Sequence, residues 1–80
     1  MAGEEYYVRI VEITTDYLGP AAERFVSRQI SSYFKKPPQN LQKGDIPMLA
    51  IRIRSGLLVL TKDTEVVDEA YKRITDIGDL

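Results

Sequence analysis

Apolar residues recur at spacings of three and four through residues 18–34. Ala22, Phe25, Val26, Gln29, Ile30 and Tyr33 make one mostly apolar stripe, the pattern of an amphipathic helix. Gly19-Pro20 opens the segment. Proline suits a first helical position, because its missing N–H has no partner there and its φ is already helical. Glu23 near the start and Lys35 and Lys36 at the end match the helix dipole. This is the clearest helix of the chain, and its wide apolar face needs partners.

Residues 4–18 carry two signals. Tyr6, Tyr7, Val8, Ile10, Val11, Ile13, Thr14 and Thr15 favour a strand by propensity. Tyr7, Ile10, Val11, Thr14, Tyr17 and Leu18 fall on one helical face. The spacing predicts a helix ending near Gly19, with Glu4 and Glu5 in its first turn. Residues 35–44 form a linker: Pro37-Pro38 cannot continue a helix, and Leu41 is an apolar latch onto the core. Asp45 then reads as an N-cap, followed by Ile46-Pro47.

Ile46, Leu49, Ile53, Leu57 and Leu60 step by three, four, four and three, and Ala50, Ile51 and Leu58 widen that seam. The rival is a hairpin over residues 49–60, with Ile51 to Arg54 alternating and Ser55-Gly56 turning. The helix is preferred, because the seam persists over the whole segment. A turn at residues 61–64 precedes a last helix with Val66 or Val67, Ala70, Tyr71 and Ile74 inward and a Glu69–Arg73 pair on its surface. The prediction is an all-α bundle of about four helices in one domain over residues 1–80, with residues 1–3 frayed. The alternative is α+β with the hairpin at 49–60.

Composition narrows the chemistry. Eighty residues suit one domain, and a chain this short buries only about 60% of its unfolded surface. Neither cysteine nor histidine is present. Disulfides, thiolate metal sites and the commonest general base are therefore excluded. Glu4 and Glu5 stand where a signal peptide carries positive charge, and the apolar run 57–60 is far too short to span a bilayer. A cytoplasmic protein away from membranes is expected. Net charge is −1, but residues 24–54 hold seven basic side chains against Asp45 alone. That is +6 in the middle and −7 in the flanks.

The order of parts resembles a known family. Leu18-Gly19-Pro20-x-Ala22 precedes Phe25-Val26-x-Arg28-Gln29-Ile30. A proline-containing linker, Asp45-Ile46-Pro47-x-Leu49-Ala50, Gly56-Leu57-Leu58-x-Leu60-Thr61-x-Asp63, and a last helix with Glu69-Ala70 and Ile74 follow. Over residues 16–75 this is similar to a small all-helical accessory domain of prokaryotic multidomain signalling proteins, found beside kinase and receiver modules. The resemblance implies a module without catalytic residues.

Candidate chemistry is sparse. Ser27, Ser31, Ser32 and Ser55 have no base at a recognisable spacing. The Glu4/Glu5 and Asp68/Glu69 pairs suit helix surfaces and starts. Asp63-x-Glu65 lacks the rest of a calcium loop, and Gly56 stands alone. No enzyme, cofactor or metal is expected. The site-like feature is basic: Arg24, Arg28 and Lys35 near one face of the Gly-Pro helix, with Lys36, and Arg52 and Arg54 extending the surface. Its plain explanation is a solvated face balanced by Glu65, Asp68 and Asp76. Tyr33 and Phe34 are assigned to the core. Adjacent Tyr6 and Tyr7 cannot be buried equally by a helix, so one is expected to be exposed or to meet another chain. The expectation is a non-catalytic protein-interaction module whose partner is a protein, a second copy included. The alternative is nucleic-acid association through the basic middle.

Overall fold

A computed structural model describes residues 3–78. It is all-α: no strand occurs among the described residues. Helix α1 spans Gly3–Leu18, α2 Ala22–Tyr33, α3 Ile46–Thr61 and α4 Thr64–Ile77. The hairpin alternative at 49–60 is thereby overturned. The expectation of about four separate helices is amended as well. Apart from a short 3-10 turn at 38–40, helical backbone runs unbroken over three stretches, 3–33, 43–61 and 64–77, and the first is folded back on itself. Gly19 makes the bend with φ of 63°, a left-handed conformation that costs glycine little. A 3-10 turn over Gly19–Ala21 completes it. Pro20 therefore opens that turn and not the α-helix itself. Of the residues expected to fray, Met1 and Ala2 lie outside the described range and Gly3 is the first residue of α1.

The β-branched content of α1 does not prevent the helix, because burial at helical period outweighs strand propensity. Ile10 and Thr14 are buried, with Tyr7, Val11, Tyr17 and Leu18 half-buried beside them. The Thr14 and Thr15 hydroxyls donate to the carbonyls of Ile10 and Val11, each at 2.7 Å. Tyr6 is buried, and Tyr7 is half-buried with its hydroxyl 2.7 Å from Ser27 Oγ. The two are buried unequally, as expected for adjacent helix positions, but neither is exposed. Tyr6 faces the core, while Tyr7 lies against α2.

The helices pack in a ring: α1 on α2, α1 on α4, α3 on α4, and α2 on α3. Val26 and Ile30 of α2, Ile46, Leu49, Ile53 and Leu57 of α3, and Val67, Ala70, Ile74 and Ile77 of α4 fill the centre with Ile10. The α3 seam stops short of its expected end, because Leu60 is 60% exposed. The linker is partly ordered into 3-10 turns at Pro38–Asn40 and Lys43–Asp45, and Leu41 is buried as the expected latch. Asp45 does not cap α3. Its backbone is already helical, and its carboxylate turns back to accept from the Gln42 amide at 2.9 Å and from Lys36. The true cap lies before α4, where Asp63 accepts from the amides of Glu65 and Val66.

Candidate functional site

The six basic residues singled out in the sequence do not form one patch. Arg24 and Arg28 sit one turn apart on the exposed face of α2. Lys35 follows the helix in a left-handed conformation, φ 53°. Lys36 is half-buried and paired with Asp45. Arg52 and Arg54 point to opposite flanks of α3, since two residues span about 200° of a helix. Arg54 pairs with Asp68 of α4 at 3.1 Å and lies 5.8 Å from the Tyr71 ring centre. Arg52 turns toward α2 and stacks 4.0 Å above the Tyr33 ring. Tyr33, assigned to the core from sequence, is 52% exposed; it ends α2 and serves as the platform for that guanidinium. Its hydroxyl-bearing ring keeps water contact while Phe34 packs against the core.

This leaves an uneven charge distribution. Among the described residues Arg24, Arg28 and Lys35 take part in no ion pair. Arg52 Nε is buried and lacks a hydrogen-bond acceptor. Arg9 of α1, Lys62 at the end of α3 and Lys72 of α4 are likewise outside any ion pair among the described residues, whereas Arg24, Arg28 and Arg52 gather along α2 and the adjacent edge of α3.

That edge borders a feature absent from the sequence reading. Helix α3 is apolar nearly all round, a composition typical of a helix enclosed by neighbours. In this fold α2 and α4 cover only its inner side. Met48 is 48% exposed, Ile51 45% and Val59 78%. Together with Ser55 they follow the three-four spacing on the outer face. Ile51, expected to widen the inner seam, belongs to this outer row instead. The signal was present in sequence: Met48, Ile51 and Val59, with Ser55 between them, make a second, mostly apolar row opposite the first. It was masked because attention to the inner seam assigns all apolar residues inward.

The groove between α2 and α3 is narrow because of Gly56. A Cβ there would come within 2.6 Å of Phe25 Cζ. Phe25 therefore rests against the α3 backbone, bringing α2 and its arginines close to α3. A separate polar cluster joins α1 to α4. Arg73 donates to Asp16 at 2.9 Å and to the Tyr17 hydroxyl at 3.1 Å, while that hydroxyl donates to Glu69 at 2.8 Å. The expected Glu69–Arg73 ion pair is thus replaced by one bridged through Tyr17, because Asp16 supplies Arg73 with a closer carboxylate. Burial, with the bond to Glu69, pushes the Tyr17 phenol above its ordinary value despite Arg73. For Asp45, partial burial raises the carboxyl, but Lys36 and the Gln42 amide together outweigh it and hold it below the usual range.

Among the described residues no group of three or more acidic side chains is arranged to hold a metal ion, and no helix is long and apolar enough to cross a membrane. The cleft between α1 and α4 is lined by charges of both signs, Arg9, Glu12, Asp16, Arg73 and Asp76, and Arg73 and Asp16 satisfy each other within it. In comparisons with known proteins, no protein family, curated protein or solved structure matches this chain.

Proposed function

We propose that this domain is a non-catalytic protein-docking module and that the outer face of α3 is its contact surface. The carrying observation is the row Met48, Ile51 and Val59, exposed on a helix whose composition suits enclosure. Apolar rows of this kind with an arginine and a tyrosine at the edge have the make-up of interface centres. The nucleic-acid alternative is weaker, because Lys36 and Arg54 already face carboxylates and the apolar row has no role in binding phosphates.

A photo-crosslinking amino acid placed at position 59, at 51 and, as a control, at exposed position 72 tests this in the source cell. Discrete adducts at 59 and 51 but not at 72 are expected. Equal labelling at all three positions, or none, would sink the docking reading.

A further inference from the structure

The apolar row has a chemically defined margin, and that margin selects among occupants. We infer that the groove formed by the outer face of α3 and the basic row of α2 receives an acidic amphipathic helix. The inference rests on the docking reading above and adds the chemistry of the partner.

The shape argument comes first. Met48 to Val59 is a run of twelve residues, about 16 Å of helix or three turns. A helix of similar length lays one apolar stripe along such a row, its ridges entering the groove beside it. An extended peptide has nothing to pair with, because no sheet edge exists among the described residues.

Charge then decides the class of helix. On α2, Phe25 meets α3 at Gly56. Arg24 and Arg28 occupy the neighbouring row, one step toward solvent. Arg52 closes the same margin from α3, held flat over Tyr33. None of these three cations has an acidic partner among the described residues. The opposite margin is already neutralised, with Arg54 on Asp68. A partner whose apolar stripe is flanked by glutamates or aspartates on one side satisfies this asymmetry. Stacking fixes the Arg52 guanidinium in advance, so little side-chain freedom is lost when a carboxylate binds it. A second copy packed with its α3 antiparallel brings the same cationic margin against itself.

The test selects a displayed library of random peptides of about 16 residues, four to five turns, on the full chain. Enriched peptides are expected to carry apolar residues at helical spacing with Asp and Glu well above Lys and Arg. A resynthesised peptide should lose about tenfold in affinity on Val59→Glu and again on Arg28→Glu, the scale of one interface anchor. Lysine-for-glutamate exchange in the peptide should restore binding to Arg28→Glu. Circular dichroism of each variant checks that the fold is intact.

Enrichment of basic or uncharged helices overturns the acidic class while leaving the docking reading standing. Failure to enrich, with a sedimenting dimer that Val59→Glu dissociates, assigns the face to a second copy and likewise overturns it. Failure to enrich by a monomer removes both readings; salt-dependent binding of a DNA oligonucleotide in that case gives the basic row to nucleic acid.

Discussion

Lys62 holds φ of 60° where α3 ends, in the left-handed region that glycine occupies at most helix ends of this kind. The cost to a residue with a Cβ is about 1 kcal/mol or slightly more. Lys62→Gly is therefore expected to stabilise the domain by about 1 kcal/mol, read as a higher urea midpoint. An unchanged or lower midpoint would mean that the lysine side chain contributes something its geometry does not account for. Single residues were only partly legible in the sequence. Leu41 was, since an isolated leucine in a polar linker has few other uses. Asp45 was not: an Asp before Ile-Pro looks like a cap, and only the folded linker brings Lys36 and the Gln42 amide to it. Tyr33 was misassigned for a similar reason. Its helical phase points inward, but the helix ends there and an arginine from another element covers its ring.

Two contacts between elements lend themselves to measurement. Alanine at an exposed helix position is better than glycine by about 1 kcal/mol, yet at Gly56 its Cβ would collide with Phe25. Gly56→Ala is expected to destabilise the wild-type chain. In a Phe25→Ala background the same change should become stabilising, by up to about 1 kcal/mol, because the remaining close neighbour, Gln29 Nε2 at 3.3 Å, is the end of a flexible side chain that can yield. Equal effects in both backgrounds would show that Phe25 does not set the α2–α3 approach. The linker latch responds to acid. The Asp45 carboxyl titrates below its unfolded value, so its contribution is complete above about pH 4 and is lost as pH falls through that value and below. At neutral pH Asp45→Asn should cost about 0.5–1 kcal/mol after allowance for partial exposure. The gap between thermal melts of the two proteins should narrow progressively as pH falls below about 4; a constant gap would exclude ionisation as the cause. At this scale the sequence was informative. Helical period identified α1 against its strand propensity, and the inner seam identified α3 against a hairpin. The bend at Gly19 was less visible, because Gly-Pro reads as a helix start when it is the corner of a helical hairpin.

At the scale of the whole molecule, the all-α class followed from periodicity, whereas the candidate surface did not. Which face of an all-round apolar helix remains uncovered depends on how four helices close into a ring, and no local pattern carries that information. The partition of the basic residues has the same origin, since Arg52 and Arg54 separate only when α2 and α4 take opposite sides of α3. The ring also consists of two tight helical hairpins, α1–α2 and α3–α4, tied by the linker. Viewed as a tether, that linker sets the concentration at which one hairpin meets the other, on the order of millimolar for a short flexible connection. Cutting the chain between Gln39 and Asn40 removes the tether and the short 3-10 turn at Pro38–Asn40 but no α-helix. Folding then becomes a second-order association of two pieces, and the melting temperature should climb with protein concentration, as that of the intact chain does not. The linker thus contributes to stability as an entropy of connection, separate from every contact it makes.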